Sequence, residues 1–173
     1  MSTHDYRGLA FIGDPHLSSH VPGFRRDDYP RTALAKLKFC LETALEQQLL
    51  PVLLGDVFDR PRDNANWLIG ELLDLLSRDE VLAIYGNHDC RENSLTDDDS
   101  FSILLKSGHL RLLTPEFSWQ GTINGQHVIV GGSPWGSPSR TATQRMPASK
   151  RRFSRSSNSA RKTNRTRTRW SSG

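Results

Sequence analysis

The amino-acid sequence predicts an α/β fold, a parallel sheet covered by helices and followed by a smaller, partly antiparallel sheet. Three observations predict it. Short apolar runs at residues 8–12, 50–54 and 81–85 are each closed by a breaker-rich, acidic loop, which reads as buried strands ending at one kind of turn. The stretches between them carry leucines at helical spacing, and strand, helix, strand order calls for right-handed crossovers and parallel pairing. Beyond residue 110, strand-like runs meet at Asn124-Gly125, the strongest short hairpin signal.

The elements follow in order. Gly8 to Ile12 is the first strand, closed by Gly13-Asp14-Pro15. Residues 17–30 hold two prolines, a glycine and the cluster Arg25-Arg26-Asp27-Asp28, and are expected to form an ordered connector over the strand ends. Residues 31–48 place Leu34, Leu37, Leu41 and Leu45 on one helical face. Pro51 sits near the start of the next strand, where a missing donor is tolerated. A helix capped by Asn64 or Asn66 and running to about residue 77 buries Leu68, Leu72, Leu73 and Leu76. Val81 to Tyr85 is the third strand. Thr96-Asp97-Asp98-Asp99 has capping-box spacing ahead of a helix over 101–107, and this bland reading outweighs a metal site for the triple Asp. Residues 110–113, 117–123 and 127–130 read as strands.

Charge is divided along the chain. Residues 1–136 hold 12 Lys or Arg against 19 Asp or Glu, a net of −7, whereas residues 137–173 hold 11 basic residues and no acid. The net +4 and pI near 9.4 therefore describe the second segment. That segment has no Leu, Ile or Val, too little apolar area to offset its ordering entropy, so it is expected to be a disordered Ser/Arg-rich tail. The domain is expected to span residues 1–136. Cys40 and Cys90 are far apart with no secretory segment ahead of them, which speaks against a disulfide framework. No apolar run reaches membrane-spanning length. The expected location is cytoplasmic, without membrane association.

Parallel order brings the three loops to one edge of the sheet, where open α/β sheets bind ligands. These are Asp14-Pro15-His16, Gly55-Asp56-Val57-Phe58-Asp59-Arg60 and Gly86-Asn87-His88-Asp89. Asp and His two apart on a tight loop can face one cation. The two oxygens of Asp56 can bridge two cations, and Asn87 adds a neutral oxygen. His88 stands beside it, able to protonate a leaving oxygen. Mixed imidazole and carboxylate donors suit Mn, Fe, Zn or Ni better than Ca. Two such ions would clamp a phosphoryl group and supply a water-derived nucleophile.

In this order and spacing, DPH, GDVFDR and GNHD resemble the first three motifs of the calcineurin-like metallophosphoesterase superfamily, with some likeness to its DNA-repair exonuclease and phage-type branches. The resemblance covers about residues 8–136 and says little about substrate. It implies a β-sandwich flanked by helices, in α/β/β/α layers, and hydrolysis of phosphomonoesters or phosphodiesters, nucleic acid among the candidates. It also implies two divalent metal ions, with Asp14 and His16 on one, Asp56 bridging and Asn87 on the second. His88 would contact the phosphate or protonate the leaving group. Asp59 and Asp89 would orient histidines or close the loops. Arg60 would face the substrate or form a structural ion pair.

One departure stands out. The family supplies further histidines from later strands, and this chain has none after His127, itself read as an ordinary strand residue. The first metal then keeps Asp14, His16 and Asp56, the second only Asp56 and Asn87, which predicts weak binding, down to a single ion. The change of composition after Gly136 suggests a frameshift and a missing C-terminal part. That hypothesis fails if the other reading frame near codon 136 uncovers no histidine-bearing segment. The rival expectations are a catalytically inactive remnant and a basic module whose tail binds nucleic acid.

Overall fold

The computed structural model describes residues 5–136, and the expected disordered tail lies outside the described residues. Ten elements follow one another. They are β1 (Asp5–Tyr6), β2 (Gly8–Ile12), α1 (Tyr29–Glu46), β3 (Leu49–Leu53), α2 (Asn66–Leu76), β4 (Val81–Ala83), α3 (Ser100–Lys106), β5 (Leu110–Leu112), β6 (Trp119–Ile123) and β7 (Gln126–Val130). The strands β2, β3, β4 and β5 lie side by side in that order, all parallel. A smaller sheet has the order β1, β6, β7, with β6 and β7 antiparallel.

The larger sheet is buried on both faces because its strands alternate between two apolar cores. Leu53, Val81, Ala83 and Leu110 face the helices and pack with Leu37 and Leu41 of α1, Leu68 and Leu72 of α2, and Phe101 and Leu104 of α3. Leu50, Val52 and Leu82 face the other way, onto Tyr6 and Trp119 of the smaller sheet. Helices, large sheet and small sheet are thus three of the four layers expected of the sandwich. Each crossover steps one strand along the sheet, so a single hand of connection leaves all three helices on one face.

Several local expectations shift. Helix α1 begins at Tyr29 because Asp28 caps it, accepting the Arg31 N–H at 3.4 Å, with Pro30 in the first turn. Neither Asn64 nor Asn66 caps α2, whose N-cap is Ala65 with no side-chain bond. Asn64 instead spans Arg60 O at 2.9 Å and Ser100 Oγ at 3.0 Å. Asp99 is the N-cap residue of α3 but turns its carboxylate back onto Thr96 N, Thr96 Oγ1 and Arg62 Nε, at 2.8, 2.9 and 3.0 Å. Strand β6 starts at Trp119 because Thr114 and Phe117 close a tight turn on each other. The hairpin has both central residues at positive φ, Asn124 at 50° and Gly125 at 74°, the type I′ geometry that Asn-Gly favours. Cys40 is exposed and Cys90 buried, and both are free thiols.

Candidate metal centre

Backbone pairing continues past the ends of the strands and zips the loops together. Leu54 N–H donates to Ile12 O at 2.9 Å, His16 N–H to Asp56 O at 2.9 Å, and Leu17 N–H to Val57 O at 2.8 Å. Asp59 N–H returns to Leu17 O at 2.9 Å. The first two loops therefore run as one short parallel ribbon, bridged at Leu17 and Phe58. Asp14, His16 and Asp56 all hold positive φ, at 43°, 44° and 48°. Non-glycine residues avoid this region at a cost of order 1–3 kcal/mol each, and such strain gathers where side chains must be aimed.

The third loop locks onto the second through one carboxylate. Asp89 has no exposed surface and accepts Phe58 N–H and Gly86 N–H, both at 2.9 Å. Burial pushes its carboxyl above the usual range, against the Gly86 and Phe58 N–H bonds, which pull it down. Burial, and then the Asp89 charge, also push up the Cys90 thiol. It only donates to Gly86 O at 3.5 Å. The two motif glycines allow the approach. At Gly86 the Asp56 carboxylate fills the space of a Cβ, and at Gly55, φ 97°, a Cβ would sit 2.9 Å from Gly86 N.

With the loops fixed, His16, Asp59 and His88 each offer a donor atom within 4.8 Å of the others. The two imidazoles meet edge to face with centroids 4.8 Å apart. His88 is held twice, its N–H on Asp56 Oδ1 at 2.8 Å and its Nδ1 on Asp59 O at 2.9 Å. A carbonyl only accepts, so Nδ1 carries the hydrogen and Nε2 is the nitrogen left for a ligand or proton. His16 Nδ1 is buried without a hydrogen-bond partner among the described residues. An orphaned buried imidazole nitrogen beside a carboxylate and a second imidazole is what a transition-metal site presents before loading, so these residues fit the implied ion.

The group leaves out Asp14 and Asp56, two of the expected ligands, and the other expected residues stand as follows. Asp14 is exposed and lines a cavity of about 230 Å³ with Arg25, Tyr29 and Lys36. Asn87 is exposed beside His88. Arg60 is 62% exposed and reaches Asp59 only at 4.0 Å. His127 is an exposed strand residue of β7. Sequence reasoning placed Asp59 behind the donors; in the structure its carboxylate oxygen lies within 4.8 Å of a ring nitrogen of His16 and of His88. That reasoning also passed over Tyr29, whose hydroxyl donates to His16 O at 3.5 Å.

A loop-borne group of two imidazoles and a carboxylate at the C-terminal edge of a parallel sheet is where an α/β protein would hold a metal ion. The sequence model of the calcineurin-like phosphoesterases matches residues 8–168, and the chain belongs to that family. The match runs on past Gly136, beyond the expected domain end and outside the described residues. Comparison with curated proteins finds no match. Membership implies metal-dependent hydrolysis of phosphoesters. Among the described residues, no helix is long and apolar enough to cross a membrane.

Proposed function

We propose that the chain hydrolyses phosphoesters, phosphodiesters of nucleic acid included, using Asp14, His16, Asp56 and Asn87 as ligands and His88 as the proton donor. The observation that carries this reading is the meeting of His16, Asp59 and His88, each with a donor atom within 4.8 Å of the others, in a chain of this family. Bound divalent ions would polarise the phosphoryl oxygens and supply a nucleophile from water at neutral pH. Mn, Fe, Zn and Ni suit the imidazole, carboxylate and amide donors.

The chain's own residues do the rest. Asp56 uses Oδ1 to fix the His88 backbone and keeps Oδ2 for a cation. Asp59 O orients the His88 ring so that Nε2 faces away from the backbone, ready to give a proton to the departing ester oxygen. Asp59 contributes its carboxylate to the same cluster, a role between ligand and support. Arg60, tied only weakly, is free to swing onto a phosphate. The free thiols Cys40 and Cys90 accord with a reducing, cytoplasmic setting.

The test is hydrolysis of bis-p-nitrophenyl phosphate by purified protein with added manganese. Activity that rises with manganese and drops by at least about 100-fold in Asp56→Asn supports the reading. Folded protein that binds manganese yet hydrolyses neither this diester nor p-nitrophenyl phosphate would overturn it.

A further inference from the structure

The connector between β2 and α1 carries a feature that the metal centre does not use. Beside Asp59 and Arg60 lies an open cavity of about 350 Å³, walled by Ser18, His20, Val21 and Tyr29. That volume is at the lower end for a small-molecule subsite. Its rim continues into Gly23-Phe24-Arg25-Arg26. Phe24 is 85% exposed, the most exposed of the large apolar side chains among the described residues, and Val21 is half exposed.

The charges of this connector do not cancel where they stand. Arg25 is taken up by Asp27 in two bonds of 2.7 Å and lies over the Tyr29 ring at 5.1 Å. Asp28 is taken up by the N-terminus of α1 and by Arg31. Arg26 has no ion pair among the described residues, and Arg60 has only the 4.0 Å contact with its neighbour. Asp27 and Asp28 are therefore spent, while two cations and an exposed aromatic ring remain. Cations that track a backbone, with an aromatic face for a base, are the pattern of sequence-tolerant single-strand binding.

Resting on the phosphoesterase reading, we propose that the rim formed by residues 18–26 and Arg60 binds single-stranded nucleic acid next to the metal centre. One base stacks on Phe24, Arg26 and Arg60 meet the phosphates, and the nucleotide beside the scissile bond occupies the cavity at His20 and Tyr29. The substrate class is then a phosphodiester strand rather than a small phosphomonoester.

The experiment measures binding of fluorescein-labelled tetrathymidylate to the full chain by anisotropy, for wild type and Phe24→Ala. Because Phe24 is exposed, the variant keeps its fold, and both proteins carry the same residues 137–173. The expected result is about 10-fold weaker binding, the loss of one stacked base. Arg26→Ala is expected to lower the salt slope by about 1. Equal binding by Phe24→Ala and wild type would overturn the proposal, whether or not the enzyme hydrolyses bis-p-nitrophenyl phosphate. Loss of sedimentation with phosphatidylcholine–phosphatidylserine vesicles, oligonucleotide binding being unchanged, would overturn it in favour of a membrane-contacting loop. Weakened binding in a protein that hydrolyses nothing would leave this surface standing and remove the catalytic reading instead.

Discussion

Asp89 is the point at which two of the three loops can be unfastened with a single substitution. Its carboxylate is fully buried and accepts the N–H groups of Phe58 and Gly86. Asp89→Ala removes both acceptors. The Phe58 donor lies in a residue with no exposed surface, so it bears the full penalty of an unsatisfied buried group, about 1–3 kcal/mol. The Gly86 donor is half-buried, and water recovers part of its loss. Together the cost is about 2–4 kcal/mol, a large share of the ~5–15 kcal/mol of a typical domain. Asp89→Asn keeps one acceptor but faces the second N–H with a donor, costing about 1–3 kcal/mol.

Urea denaturation followed by tryptophan fluorescence, with Trp119 buried in the inter-sheet core, reads the change. At a slope near 2 kcal/mol/M, a loss of about 3 kcal/mol moves the midpoint by roughly 1.5 M. Because the same carboxylate seats the loop bearing Asn87 and His88, manganese affinity should fall by about 10-fold or more in protein that is still folded. Wild-type midpoints in both variants would refute the clamp. A lost midpoint with unchanged manganese affinity would refute its link to the metal centre.

Two further outcomes follow from the packing. Gly86→Ala forces a Cβ onto the Asp56 carboxylate and should destabilise by about 1–3 kcal/mol with loss of manganese binding, whereas Gly70→Ala, in α2 with nothing within 4 Å, should stabilise by about 0.5–1 kcal/mol. Paired urea melts check both. Asp99 supplies a pH dependence: burial pushes its carboxyl up, but the Thr96 bonds and the Arg62 guanidinium prevail and hold it below the usual range. A depressed folded value means stability that is present above the unfolded pKa of about 3.9 and is lost as pH falls through the folded one. As pH falls below about 4 the wild type should therefore lose more stability than Asp99→Asn, and parallel pH profiles would contradict the assignment.

The periodic elements were legible in the chain alone because they rest on local chemistry. Leucines at helical spacing gave α1 and α2, runs ending in Gly-Asp or Gly-Asn gave the parallel strands, and Asn124-Gly125 gave its hairpin. The convergence of three loops followed from parallel order, and the family from their motifs. Local pattern misplaced the cap of α2: Asn64 has a side chain that would suit a helix start, but it binds Arg60 O and Ser100, the latter distant in sequence.

What only the tertiary structure decided is how the donors meet. Nothing local to Asp59 says that its backbone oxygen seats the His88 ring while its carboxylate joins the two imidazoles. Nor does the chain reveal that Gly86 must lack a Cβ because Asp56 occupies that space. Those relations depend on segments some thirty to seventy residues apart being held within hydrogen-bond distance, and the packing of the sheet and its buried Asp89 clamp fixes that distance. The sequence by itself nominated residues that could hold a metal; the fold decided which of them stand together.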